Sequence, residues 1–196
     1  TGQRRKISGI ILRSDSFANR ILLWKIRIDC PDTRFYTEST PNKRVQKDGE
    51  FDMRIIVGVT GATGVEMSYY LLKALRSTKD CEIHLVVSQG ALTTWQLESR
   101  IPLQDLYDLA DYVYKETNLS AVISSGSYMT DGMIVMPCSM KTLAGIVSGY
   151  AENLIQRAAD VCLKENRKVV LVPREMPLGR IHLKNLNMAA ELFLRC

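Results

Sequence analysis

Arg54–Gly64 reads RIIVGVTGATG, an apolar and mostly β-branched run that ends in the turn Thr60-Gly61-Ala62-Thr63-Gly64. An unbroken apolar run, rather than an alternating one, is what a strand buried on both faces requires. After the turn, Met67, Tyr70, Leu71, Ala74 and Leu75 recur at i, i+3, i+4, i+7 and i+8, the stripe of an amphipathic helix. Strand, glycine turn and helix in that order form the opening unit of a parallel α/β sheet. Such a turn aims backbone N–H groups and a helix start at an anion, and the hydroxyls of Thr60 and Thr63 add donors. A tight βα turn with no ligand would use the same glycines, but the ordered strand and helix favour a phosphate cradle.

Outward from this unit the alternation continues. Glu82–Ser88 (EIHLVVS), Gly132–Pro137 (GMIVMP) and Lys168–Pro173 (KVVLVP) read as further buried strands. Ala91–Glu98 and Leu103–Tyr112 read as helices, the second opened by Pro102. Ser139–Ser148 and Glu152–Lys164 read as two more, broken near Gly149, and a last helix starts near Ile181. The expected fold is a three-layer α/β/α sandwich on a parallel sheet, Rossmann-like or flavodoxin-like. Ligands of such sheets bind beyond the C-terminal strand ends, where Thr60–Gly64, Ser88, Ser139 and Arg174 all fall.

The 196 residues suit one globular domain, and no apolar run is long enough to span a membrane. The formal charge of +5 is unevenly spread. Residues 1–52 hold 11 Lys/Arg against 7 Asp/Glu, a net of +4, and residues 53–196 hold 15 against 14, a net of +1. The body of the chain therefore lacks the basic footprint of a nucleic-acid binder. Residues 1–52 show no clear period and read as a basic extension, with the domain spanning 53–196. The arginines there suggest a mitochondrial transit segment, which Asp15, Asp29 and Asp32 oppose, so a cytoplasmic location is expected. The five cysteines are scattered with no C-x-x-C pair, so zinc and redox motifs are both absent, and reduced thiols are expected.

The glycine loop disfavours a nicotinamide dinucleotide. That fingerprint needs a small residue where this chain has Met67, and an acid after the second strand where it has Ser88 and Gln89. Tyr69 and Lys73 mimic a reductase pair but lie too early in the chain. A mononucleotide such as FMN needs no such acid. Farther on, Pro137-Cys138-Ser139-Met140-Lys141-Thr142 leaves a strand and enters a helix. Ser139 there is either a simple N-cap or, with Thr142, a flavin contact. Cys138 reads as a packed thiol rather than a nucleophile. Pro173-Arg174-Glu175-Met176-Pro177 sets an Arg and a Glu at a strand end between prolines, either as a surface ion pair or as a site.

These segments together resemble the flavin prenyltransferase family (UbiX-like, once described as aromatic acid decarboxylase subunits). The resemblance rests on VTGATG at 59–64, VVS at 86–88, SSGS at 124–127, PCSMKTLAG at 137–145, RAADVCLK at 157–164, LVPREMPL at 171–178 and IHLKN at 181–185. It implies transfer of a prenyl group from dimethylallyl phosphate to FMN, without a metal. It also implies a homo-oligomer, often a dodecamer, and delivery of the product to a UbiD-like decarboxylase. By position, Gly61, Ala62, Thr63, Ser88, Ser139, Met140, Lys141, Thr142 and Arg174 would hold FMN. Ser125 would lie near flavin N5. Lys164, Arg174 and Arg157 would hold the substrate phosphate, with Glu175 as proton-transfer group and Glu98 nearby. His84 and His182 are expected to be structural.

Members of the family continue beyond the equivalent of Leu192 with a glycine, a strand, an aromatic-bearing turn and a helix. The Tyr and basic residue of that segment, which grip the prenyl phosphate, have no counterpart in this sequence. The resulting expectation is a retained FMN site with weak prenyl transfer or none. Two alternatives share the fold: an FMN-dependent cysteine-type decarboxylase, disfavoured by REMP at 174–177, and a non-catalytic FMN-binding subunit.

Overall fold

The structure is a computed structural model that describes residues 53–78 and 80–193. The expected extension at 1–52 lies outside the described residues. The elements run β1 (Met53–Val59), α1 (Glu66–Ser77), β2 (Cys81–Val87), α2 (Gln89–Glu98), α3 (Leu103–Tyr107) and β3 (Tyr112–Lys115). A 3-10 turn at Val122–Ser124 leads to β4 (Gly132–Cys138), α4 (Met140–Ser148), α5 (Leu154–Lys164), β5 (Lys168–Pro173) and α6 (Arg180–Phe193). All five strands are parallel, in the order β3-β2-β1-β4-β5. The α/β expectation is met.

The sheet explains the unbroken apolar runs. Val57, Val59, Ile83, Leu85 and Val87 point to one face and pack with Leu71, Leu72, Trp95 and Leu106 from α1, α2 and α3. Their neighbours Ile56, Val86, Met133 and Val135 point to the other face, against Leu143, Ile146, Ile155 and Ala158 of α4 and α5. Every residue of β2 is buried. The glycine in β1 has a packing reason, because a Cβ on Gly58 would come within 3.1 Å of Ile155 Cγ2 on α5.

Two boundaries differ from expectation. The helix from Leu103 stops at Tyr107, and Tyr112 belongs to β3 rather than to that helix. Asp111 is the cause: its carboxylate accepts the Ile83 N–H at 2.7 Å while its own N–H donates to Ile83 O at 3.0 Å. Those two bonds lay the next residues beside β2, where Tyr-Val-Tyr suits a strand. β5, read as a buried strand, pairs only with β4 among the described residues, and Val170 is exposed.

Candidate functional site at the mouth of the sheet

The sheet order reverses at β1, so the chain opens a crevice where β1 and β4 end side by side. Thr60 sits at that point and is buried. Its hydroxyl donates to Pro137 O at 2.8 Å and accepts from Ser139 N–H at 2.7 Å. The expectation that Thr60 offers its hydroxyl to a phosphate is therefore corrected. With both roles taken, the group clips the ends of β1 and β4 together.

Beyond Thr60 the loop is shaped by α2, which lies along it. A Cβ on Gly61 would fall 2.7 Å from the Gly90 carbonyl carbon, so the two backbones meet where no side chain fits. Gly64 holds φ at 89°, the left-handed region that suits glycine. Its N–H donates to Glu98 Oε2 at 3.1 Å, which ties Glu98 to the glycine loop. Thr63 is exposed and Ala62 buried. α1 starts at Val65 with no side-chain cap, unlike the helices that follow β2 and β4. Glu66, in its first turn, is held below the usual carboxylate range by the Arg100 N–H, at 2.8 Å, and then by the Ser99 hydroxyl, at 2.9 Å.

The other helices that start at the mouth are capped by hydroxyls. Ser88 accepts from Ala91 N–H at 3.0 Å and Ser139 from Thr142 N–H at 3.3 Å, with the Thr142 hydroxyl 3.1 Å from that of Ser139. Met140 is half-buried and Lys141 exposed. Arg174 N–H donates to Cys138 O at 3.3 Å, which carries Arg174 and the exposed Glu175 to the Ser139 turn. Glu175 folds back to accept its neighbour Met176 N–H at 3.1 Å instead of pairing with Arg174. Burial pushes the Cys138 thiol up to about 12, consistent with a packed, unreactive cysteine. Lys73 lies 5.4 Å over the Tyr69 ring on α1 in a local cation–π contact.

Three predicted residues stand elsewhere. Arg157, on α5, donates from Nε to Ser124 O at 3.2 Å, which sets the loop bearing Ser125 against that helix. Lys164 closes α5, just before β5 begins at Lys168, whereas Arg174 follows the end of that strand. Six strand residues span about 20 Å at ~3.3 Å each, so within one chain Lys164 and Arg174 sit at opposite ends of the sheet. One chain thus carries two groups: the mouth, and the α5 face with Ser125, Arg157 and Lys164.

The sequence reading missed a buried polar cluster on the α5 side of the sheet. Glu82 Oε1 accepts from Arg54 Nε at 2.9 Å, from the Tyr128 hydroxyl at 3.0 Å and from His84 Nε2 at 2.7 Å. Because the carboxylate can only accept, Nε2 bears the proton, and Nδ1 accepts from the Tyr114 hydroxyl at 3.0 Å. Burial lowers the His84 pKa despite its partner, so the ring is held neutral. Burial works against the Glu82 charge, yet the bonds from His84 and Tyr128 and the Arg54 charge keep its carboxyl below the usual range. The signal in the sequence was two polar residues at i and i+2 inside an apolar strand. Glu116 was missed as well: it accepts from Gln89 N–H at 2.6 Å and from Asn153 Nδ2 at 3.2 Å, tying α2 to the start of α5.

The mouth suits a single phosphate and a hydroxylated chain. It offers peptide donors where Gly61 excludes a side chain, neutral hydroxyls, and the cations Lys141 and Arg174. Ser88 and Gln89 stand where a dinucleotide's ribose would need an acid. Fold and site together define a mononucleotide-binding flavoprotein. The Flavoprotein family model matches residues 43–193, and the chain belongs to that family, within it to the UbiX-like flavin prenyltransferases. A probable UbiX-like flavin prenyltransferase of Sedimentibacter hydroxybenzoicus is 61% identical over 140 residues, 71% of this chain and 74% of that protein. Among solved structures, a dodecameric FMN-dependent UbiX-like decarboxylase from Escherichia coli O157:H7 matches at 55% identity and a TM-score of 0.70, over 71% of this chain and 76% of that one. AnUbiX (PadA1), solved with FMN and dimethylallyl pyrophosphate, matches at 48% identity and a TM-score of 0.70, over 72% and 74%.

Proposed function

We propose that this protein is a flavin prenyltransferase that joins a dimethylallyl group to reduced FMN. The carrying observation is the mouth itself, in a chain 61% identical to a UbiX-like flavin prenyltransferase. It combines a glycine loop closed against Gly90 with hydroxyl-capped helix starts and Arg174. In this reading Gly61, Ala62 and Thr63 offer the phosphate surface, and Ser88, Ser139, Met140, Lys141 and Thr142 line the flavin. FMN, when bound, supplies the electron-rich ring system that accepts the prenyl group.

The side chains suit the other half of the reaction. When the allylic C–O bond breaks, its electron pair leaves on a phosphate oxygen, and Arg174, Lys164 and Arg157 stabilise that charge. Glu175 takes up a proton. Glu98 orders the glycine loop through Gly64. Because Lys164 and Arg174 lie at opposite ends of one sheet, bringing the two together requires the α5 face of a second copy at the mouth of the first. A homo-oligomer fits that requirement, and the E. coli O157:H7 relative is a dodecamer. The recipient of the product would be a UbiD-like decarboxylase. No helix among the described residues is long and apolar enough to cross a membrane, and buried reduced thiols at Cys81, Cys138 and Cys162 accord with a cytoplasmic location.

The test is anaerobic incubation of the purified protein with reduced FMN and dimethylallyl phosphate. The expected result is a flavin whose mass rises by one prenyl unit, with release of inorganic phosphate. Unchanged flavin together with CO₂ release from a cysteine substrate would replace the reading.

A further inference from the structure

The segment bearing Ser125 is held in a way that the mouth residues are not. Arg167, in the turn from α5 to β5, spreads its guanidinium over the loop. Nη2 donates to Gly126 O at 2.6 Å, and Nη1 donates to Tyr128 O at 2.8 Å and to Thr130 Oγ1 at 3.1 Å. Arg157 holds Ser124 O on the other side, so two guanidiniums from one helix region bracket Ser125 through the carbonyls before and after it. Within the loop, Ser125 N–H donates to Val122 O at 3.2 Å, and its hydroxyl lies 2.8 Å from that of Ser127. The Tyr128 ring anchors the far end in the Glu82–His84 cluster, with Arg54 5.3 Å over its face.

We propose that Arg167 is a positioning residue for prenyl transfer: its fork fixes the 126–130 backbone and so aims the Ser125 hydroxyl at the reaction. A planar guanidinium reaches three acceptors at once, which an ammonium on a flexible stem does not. Arg167 acts through Ser125 and touches no reacting atom. This inference rests on the proposed flavin role of Ser125.

The test is a double-mutant cycle on the full chain, with Arg167→Met, Ser125→Ala and the pair, measuring turnover and FMN affinity separately. Arg167→Met is expected to lower kcat about ten- to a hundredfold, the scale of a displaced catalytic group, with FMN affinity within twofold. The double variant should be no slower than Ser125→Ala, because the arginine has no other route to the chemistry. Arg167→Lys should recover little, and added guanidinium should restore part of the rate to Arg167→Ala. Independent, multiplying losses would overturn the proposal, as would Arg167→Met turnover within twofold of the parent. If Arg167→Met does not fold, Thr130→Val removes one of the three acceptors, and an unchanged kcat in that variant overturns the proposal. If Ser125→Ala turns over normally, the Ser125 reading falls and this inference with it. A normal Arg167→Met beside a slow Ser125→Ala sinks the inference alone.

Discussion

Thr60 shows how much one hydroxyl can hold. It satisfies Pro137 O and Ser139 N–H at once, in a buried position at the end of β1. Thr60→Val keeps the shape and leaves the Ser139 N–H unpaired, while Pro137 O keeps the backbone N–H of residue 60 at 3.3 Å. The loss should cost about 1–3 kcal/mol, read as a lower midpoint in urea denaturation. Thr60→Ser retains the hydroxyl and should lose much less. Gly61 is the opposite case, a residue needed for what it lacks, because any Cβ there would meet the Gly90 backbone. Both residues stood out in the motif at 60–64. Their partners did not, since Gly90 and Pro137 are distant in sequence and meet only in the fold.

At the scale of elements, helix caps and site residues are the same atoms. Ser139 starts α4 by accepting from Thr142 N–H, and in the proposed reading it also faces the flavin. Ser139→Ala should lower stability by about 1 kcal/mol and weaken FMN binding together. Ser139→Asn, also a good cap, should restore the melting temperature while FMN affinity, followed by flavin fluorescence, stays reduced. If Asn restores both, the serine is a cap alone. The missed strand β3 belongs at this scale too. Tyr112–Lys115 is too short to show a period, and its identity depends on Asp111 engaging both backbone groups of Ile83 across the sheet.

For the molecule as a whole, the buried cluster on β2 should govern acid stability. His84 is held below its ordinary 6.5 by burial, and Glu82 below its ordinary 4.5 by its partners. For both groups the unfolded chain binds protons more readily than the fold, so their stabilisation is present at neutral pH. It is lost as pH falls, first through His84 below about 6.5 and then through Glu82 below about 4.5. Thermal melts should show falling stability from pH 7 to pH 4, and His84→Gln should flatten the upper part of that slope. The division of the clamp between two ends of the sheet has its own consequence. Lys164→Ala and Arg174→Ala chains, each inactive alone, should regain part of the activity when co-assembled, because some sites then receive both intact residues. Absence of recovery in verified mixed oligomers would place the clamp within one chain.

The sequence by itself determined the layers, the parallel sheet and the glycine turn at its mouth. Local periodicity and a glycine turn report directly which faces are buried and where a backbone lies open. The family motifs placed Ser125, Arg157 and Lys164 beside Arg174 by analogy, but only the tertiary structure assigned them to the α5 face. It also decided that Thr60 is a clip, that Glu82, His84, Arg54 and Tyr128 form one cluster, and that Arg167 grips the Ser125 loop. The physical reason is that a hydrogen-bond partner is chosen by distance in space, and these partners lie up to 79 residues apart along the chain.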